Sequence, residues 1–383
     1  MENFVHSIPT ELYFGKGQIA KLGDALNRFG KRVLLTYGGG SIKKMGLYDE
    51  VMKILLEGGF TVVECDGIEP NPRIESVIKG VKLCKENNID VVLSVGGGST
   101  LDCSKAIACG VYFEGDDLWK MVKSEWKLKK VLTLSATGSE FDGAGVISNM
   151  ATDEKIGAMF TYPAVSICDP TYTFSVSKYQ TAAGSADIMS HIMEGYFSRT
   201  DDCDISDGIA ETVLKTVIKN LPLALREPDN YTARGNLMMA SSVACSGIPE
   251  YGKLGTGWPC HGLEHELSAF YDITHGVGLA ILTPRWMRHI LKKDPSTTGR
   301  FVRFAKNVWG LSGGSEEVLA LKGIYALESF FKESGIASNL TELNITEEYF
   351  EKMADHLEVE ADLKNAYVPL TKEDIIEIYK ACL

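Results

Sequence analysis

Asp90-Val91-Val92-Leu93-Ser94-Val95-Gly96-Gly97-Gly98-Ser99-Thr100-Leu101-Asp102 is the stretch whose reading decides the fold. A short β-branched run ends in three glycines, and a helical pattern begins directly after them. Strand, glycine turn and helix in that order are the start of a βαβ unit, the building block of parallel sheets. The same texture surrounds it. Arg32-Val33-Leu34-Leu35-Thr36-Tyr37, Phe60-Thr61-Val62-Val63-Glu64 and Val131-Leu132-Thr133-Leu134 are further runs of this kind, separated by helical patterns. Together they predict a parallel sheet covered by helices on both faces. After Lys178 the strand signal disappears, and the chain reads as helices joined by loops such as Arg226–Asn230 and Lys293–Gly299. The expectation is an α/β plus all-α protein. Residues 1–178 form a Rossmann-like parallel-sheet nucleotide domain and residues 179–383 an all-helical domain, with the boundary near residues 176–184.

The glycines carry a second meaning. Bare backbone amides at a helix N-terminus attract phosphate, and glycine lets a pyrophosphate approach without Cβ interference. A plain βα turn needs one or two such residues, so three followed by Ser99 favour a diphosphate cradle. Neither GxGxxG nor a Walker loop is present, and the run alone does not name the nucleotide. A second run, Gly38-Gly39-Gly40-Ser41-Ile42-Lys43-Lys44, closes the Arg32–Tyr37 strand. Sites for NAD present a carboxylate to the adenosine ribose hydroxyls, whereas sites for NADP replace it by hydroxyl and cationic groups. Here there is no acid and there are two lysines, which favours NADP(H) over NAD(H); the alternative is a pair of solvated helix lysines. A third segment, Ser135-Ala136-Thr137-Gly138-Ser139-Glu140, follows an apolar strand, with Thr137 and Glu140 at capping-box spacing.

In the second half, Asp187 and His191 stand one helical turn apart on one face. His261, His265 and His275 follow, so most of the seven histidines crowd into one third of the chain. A lone helical histidine is ordinarily a core or surface residue, and Asp at a helix start is also a capping residue. A carboxylate with two or three imidazoles, however, is a thiolate-free donor set suited to Fe(II), Zn(II) or a similar divalent ion in an open, catalytic site. A zinc-protease helix is disfavoured, because Gly262 stands where that motif needs Glu.

Composition narrows the class. The 383 residues, 45% hydrophobic and 23% charged, allow two buried cores. A net charge of -12 opposes attraction to nucleic acid or anionic membranes. Nine scattered cysteines without a CxxC pair suggest a reducing compartment. With no basic, apolar leader at Met1-Glu2-Asn3-Phe4 and no run of membrane-spanning length, the expectation is a cytoplasmic protein. The aromatic residues Phe141, Phe160, Trp258 and Tyr271 are more ordinarily core than pocket lining.

Gly96-Gly97-Gly98-Ser99 with Asp102, Thr137-Gly138-Ser139-Glu140, Asp187 with His191, and His261-Gly262-Leu263-Glu264-His265 with His275 together resemble the iron-containing, or group III, alcohol dehydrogenases. The likeness spans nearly the whole chain. Tyr37-Gly38-Gly39-Gly40-Ser41 and Gly67-Ile68-Glu69-Pro70-Asn71-Pro72 resemble its NADPH-dependent butanol dehydrogenase and aldehyde reductase branch. The resemblance implies the dehydroquinate synthase-like fold, with Asp187, His191, His261 and His275 as metal ligands and His265 beside the metal. It implies that Gly97, Gly98 and Ser99 hold the diphosphate with Asp102 nearby, and that Asn71 lies along the adenosine ribose. Gly38, Gly39 and Ser41 would then receive the 2′-phosphate, with Lys43 as charge partner, while Thr137, Ser139 and Lys155 line the nicotinamide end. A homodimer using Fe(II), or Zn(II), is implied as well. From the chemistry of such a site, His265 is the best-placed proton donor. The rival readings are a polyol dehydrogenase or dehydroquinate synthase-like lyase on the same fold, and a nonenzymatic metal or nucleotide sensor. The Asp and His pattern, with no basic cluster for a sugar phosphate, disfavours the lyase, and the acidic balance disfavours a DNA-linked sensor.

Overall fold

Strand β2 (Arg32–Gly38) buries Val33, Leu35 and Tyr37 on one side and Leu34 on the other, as a strand covered on both faces must. A computed structural model describes residues 1–124, 133–135, 139–360 and 363–383. They divide into two compact units, residues 6–175 and residues 176–383 joined by 1–5.

The first unit is built on a six-stranded sheet in which every pairing is parallel. Its order is β1 (Glu11–Phe14), β8 (Val165–Cys168), β5 (Thr133–Ser135), β4 (Val91–Ser94), β2 and β3 (Thr61–Ile68). Helices α1 (Leu22–Asn27), α2 (Ser41–Lys44), α3 (Leu47–Glu57), α4 (Ile74–Glu86), α5 (Gly98–Gly110) and α6 (Leu118–Lys123) connect them. The apolar faces of α3 (Leu47, Val51, Leu55) and α4 (Ile74, Val77, Val81) recur every three or four residues and serve opposite faces of the sheet. Two features were not expected from the sequence: the edge strand β1, and an antiparallel hairpin of β6 (Ala144–Asn149) and β7 (Glu154–Met159). Asn149 Oδ1 accepts a hydrogen bond from Ala151 N, which turns the chain between the hairpin strands. Of the expected strand Val131–Leu134, the first two residues lie outside the described residues, as do Thr137 and Gly138.

Register places the glycine runs side by side. Thr36 of β2 pairs with Ser94 of β4, so Gly38, the last residue of β2, and Gly96, two residues beyond the end of β4, stand at the carboxyl ends of adjacent strands. The loop carrying Asn71 follows the neighbouring strand β3, and the segment before Ser139 follows β5. The two glycine runs and the loop carrying Asn71 therefore stand at the carboxyl ends of the strands, the end of a doubly wound sheet where ligands bind.

Among its described residues the second unit contains no strand. It comprises α7 (Lys178–Tyr196), α8 (Asp204–Arg226), α9 (Tyr231–Cys245), α10 (Pro259–Tyr271), α11 (His275–Lys293), α12 (Thr298–Asn307), α13 (Glu316–Glu333), α14 (Phe350–Glu360) and α15 (Lys372–Ala381). Ser177 caps α7 by accepting from Gln180 N, so Asp187 stands well inside the helix and is not a capping residue. That removes the structural alternative for Asp187. α7 packs against α8, α9, α10 and α11 over one continuous core.

Candidate metal centre and nucleotide cradle

Residues 187, 191 and 194 fall at i, i+4 and i+7 on α7 and share a face. His261 lies in the first turn of α10, and His275 is the first residue of α11, after Thr274. A glycine sets the approach of α11. A Cβ at Gly276 would lie 2.0 Å from the carbonyl oxygen of Ala183 on α7, so only glycine lets the start of α11 lie against that helix. His275 is thereby delivered to Asp187, one turn further along.

Three imidazoles converge on one carboxylate oxygen. Asp187 Oδ1 lies 3.5 Å from His191 Nε2, 3.8 Å from His261 Nε2 and 3.6 Å from His275 Nε2. Asp187 Oδ1 and His261 Nε2 are buried without a hydrogen-bond partner. Buried polar atoms ordinarily find partners, so orphans facing a common point call for one. The spacing fits a metal: donors about 2.1 Å from a shared ion in tetrahedral array stand about 3.4 Å apart. Asp187, His191 and His261 form a group able to hold a metal ion, and Glu264, His265 and His275 a second group beside it.

Carboxylates stand behind two of the imidazoles. Glu194 Oε1 lies 3.0 Å from His261 Nδ1 and accepts the His261 backbone N–H at 2.9 Å. Glu264, fully buried, pairs with His275 Nδ1 in the same way. Each carboxylate places the proton on Nδ1 and leaves Nε2 as a lone-pair donor facing Asp187. Neither glutamate was assigned this role from sequence; for Glu194 the i+7 spacing from Asp187 carried the signal.

The electrostatics agree. Burial would raise the Asp187 carboxyl, but the His191, His261 and His275 rings hold it well below the usual carboxylate range. Burial pushes His191 down to about 4, keeping it neutral. Burial alone would also lower His261, yet the Asp187 and Glu194 carboxylates raise it to about 9; an ion binding at Nε2 would take the place of that proton. Trp258 packs its ring against both His191 (5.3 Å) and His261 (4.9 Å) from a left-handed backbone, φ 47°, uncommon for so bulky a residue. The His265 ring lies 5.5 Å from that of His275 and 6.4 Å from that of His261, beside the convergent four.

In the first unit, Gly97 caps α5 and Gly98 begins it. A Cβ on Gly96 would strike Thr100 Oγ1 at 2.7 Å, so that glycine serves the fold. Gly97, Gly98 and Gly39 lack positive φ, and a Cβ on any of them would meet nothing within 4 Å. Their bareness leaves open space above the amides, the shape a diphosphate requires. Asn71 adopts φ 51°, turning the loop after β3. Ser41 starts α2, and Lys43 Nζ lies over the rings of Tyr37 and Tyr48.

One turn into α5, Asp102 Oδ1 accepts from Ser139 Oγ at 2.7 Å and its Oδ2 from Val146 N at 2.9 Å. Burial raises the Asp102 carboxyl to about 6, although Lys105 opposes it. Lys105, buried and not singled out from sequence, donates to Ser139 Oγ, Asp142 Oδ1 and Ala144 O. Its three donors are thereby saturated, and α5 is tied to the segment leading into β6. Lys155 is buried on β7 opposite Ser148. The Asp102–Ser139 pair is thus brought together; Thr137 lies outside the described residues.

Residues 9–170 match the family described as iron-containing alcohol dehydrogenase, and residues 181–383 match the C-terminal family of Fe-containing alcohol dehydrogenases. NADH-dependent butanol dehydrogenase A of Clostridium acetobutylicum is 49% identical over 390 residues, covering 99% of each chain. NADPH-dependent aldehyde reductase YqhD of Escherichia coli is 37% identical over 359 residues, covering 90% of each. The crystal structure of NADH-dependent butanol dehydrogenase A from Thermotoga maritima superposes with a TM-score of 0.93 at 40% identity, covering 100% of this chain and 99% of that one.

Proposed function

This chain belongs to the iron-containing alcohol dehydrogenase family, and from that premise we propose that it passes a hydride between NADP(H) and a small aliphatic aldehyde or alcohol of the butanal and butanol kind. It is an oxidoreductase of the alcohol dehydrogenase and aldehyde reductase class; coenzyme choice, substrate and residue roles are the finer reading. The observation that carries it is the convergence of three imidazole nitrogens on Asp187 Oδ1 at 3.5–3.8 Å. When bound there, a divalent ion, Fe(II) in preference to Zn(II), supplies Lewis-acid polarisation of a carbonyl, and the nicotinamide supplies the hydride.

The chain's own part is to bind and orient. Asp187, His191, His261 and His275 are the proposed ligands, with Glu194 and Glu264 fixing the two rings that face them. Gly97, Gly98 and Ser99 receive the diphosphate on bare amides, and Asn71 borders the adenosine ribose. Asp102 is the proposed neighbour of the diphosphate, and Thr137, Ser139 and Lys155 are the proposed lining of the nicotinamide end. Reduction leaves an alkoxide that needs a proton, and His265, one turn along α10 from His261, is the proposed source. The NADP(H) preference is supported by Gly38, Gly39 and Ser41, which offer no carboxylate to a ribose, and by Lys43 beside them. Relatives named for either coenzyme are found, so the preference rests on this loop. No described helix is long and apolar enough to cross a membrane, and a cytoplasmic homodimer completes the proposal.

The test is oxidation of NADPH and, separately, NADH by butanal under anaerobic conditions, with metal-stripped protein reloaded with Fe(II) or Zn(II). Metal-dependent turnover favouring NADPH and Fe(II) is expected. Turnover without any metal would overturn the ligand assignment, and faster turnover with NADH would overturn the coenzyme reading.

A further inference from the structure

Lys43, Tyr37, Tyr48 and Glu64 of the first unit form one cage. Lys43 Nζ, on α2, lies 4.9 Å from the centre of the Tyr37 ring and 4.6 Å from that of Tyr48. The rings meet edge to face, 5.7 Å apart. Both hydroxyls end on one carboxylate: Tyr37 donates to Glu64 Oε2 and Tyr48 to Glu64 Oε1, the latter at 3.0 Å. Glu64 belongs to β3, paired there with Leu35 of β2. Tyr37 is buried and cannot move far, so it anchors Glu64, Glu64 anchors Tyr48, and the two rings hold the ammonium.

We propose that Tyr48 and Glu64 are positioning residues for coenzyme specificity, holding the Lys43 ammonium beside Gly39 and Ser41 to receive the 2′-phosphate of NADP(H). This rests on the NADP(H) reading above. An exposed lysine ordinarily loses much rotamer freedom when it meets an anion, and a cation already seated on two aromatic faces has lost it beforehand. The cage also occupies both oxygens of Glu64 with phenols. A carboxylate so engaged is not offered to a ribose diol, the contact by which acidic residues select NAD.

The test is calorimetric titration of the whole enzyme with 2′,5′-ADP and with 5′-AMP, which differ only in the 2′-phosphate, alongside the NADPH-to-NADH ratio of kcat/KM. Tyr48→Leu removes one ring face and the hydroxyl; it is expected to weaken 2′,5′-ADP binding about three- to tenfold and to lower the ratio as far, the scale of one or two exposed cation–π contacts. Because Tyr48 acts through Lys43, the double variant Lys43→Ala/Tyr48→Leu should bind 2′,5′-ADP no more weakly than Lys43→Ala alone. Wild-type affinity in Tyr48→Leu, or losses that simply add in the double variant, would overturn the cage. If Tyr48→Leu does not fold, Tyr48→Phe decides: it keeps both faces but releases Glu64 Oε1 while Tyr37 still holds Oε2, and an unchanged ratio would overturn the role of the Tyr48–Glu64 contact. A parent enzyme that binds 2′,5′-ADP no better than 5′-AMP would instead overturn the NADP(H) reading on which the cage depends.

Discussion

Glu194 of α7 grips His261 of α10 twice through one oxygen, at 3.0 Å from the ring Nδ1 and 2.9 Å from the backbone nitrogen. This fixes the orientation of the ring as well as its tautomer, since rotation of the imidazole would break the first contact while the second holds the backbone still. Glu194→Gln retains an acceptor but loses the charge, and metal affinity measured by chelator competition is expected to fall about tenfold or more. Glu264→Gln, behind His275, should do the same. Unchanged affinity in both would show that the ligands are oriented by packing alone.

His265→Ala separates proton delivery from metal binding. The ring stands 5.5 Å from His275 and outside the group converging on Asp187, so metal content should match the parent. Loss of a general acid typically costs about 10²-fold or more in turnover, and the basic limb of the kcat profile for aldehyde reduction, where a proton donor is lost, should flatten. Full turnover across pH would exclude the relay.

How much of this was legible in the sequence follows from the range of each signal. Local patterns gave the strands around Val33, Val62 and Val92 and the change to helices after Lys178, because a parallel strand buried on both faces is simply apolar. β1 and the β6–β7 hairpin were missed: Glu11–Phe14 is too short to stand out, and Ala144–Asn149 is not a β-branched run. Asp187 and His191 were legible through helical spacing. Glu264 and Lys105 were not, since their partners lie at the start of the next helix and on a distant loop, contacts that only tertiary folding creates.

Asp102 carries a pH signature. Its carboxyl is raised to about 6 by burial, while an unfolded Asp titrates near 3.9. Between those values the folded state binds the extra proton, so the stability associated with this group grows as pH falls below 6 and is lost as pH rises through it. Asp102→Asn does not titrate. Comparing melting temperatures, wild type should gain about 3 °C on Asp102→Asn between pH 7.5 and pH 5, the equivalent of about 1 kcal/mol. A constant difference would mean that Asp102 is charged throughout.

Lys105→Met tests the brace that ties α5 to the segment leading into β6. The variant keeps the length of the side chain but leaves Asp142, Ser139 and the Ala144 carbonyl without their common donor. Breaking a buried ion pair from one side costs about 3–5 kcal/mol, so a markedly lower melting temperature is expected, with a raised KM for coenzyme in whatever remains folded. A shift of less than about 1 kcal/mol would show that Asp142 turns to solvent and that the brace is dispensable.

The open glycines allow ligand contact to be tested apart from folding. Gly97 has φ -86° and ψ -175°, a conformation any residue adopts, and its missing Cβ faces empty space. Gly97→Ala should therefore leave the melting temperature unchanged or raise it slightly, the unfolded chain losing freedom worth about 0.4–1 kcal/mol. Coenzyme KM should nonetheless rise about tenfold or more, because the added methyl occupies the approach of the diphosphate. At Gly39 the same openness accepts a longer side chain. Gly39→Asp would set a carboxylate where the 2′-phosphate is proposed to lie, repelling it and offering an acceptor to ribose hydroxyls, so the ratio of NADPH to NADH efficiency should fall steeply in a protein of unaltered stability. Were Gly97→Ala to melt early with its coenzyme KM intact, the run would be a turn required by the chain and the cradle would have to be sought elsewhere along the carboxyl ends of the strands.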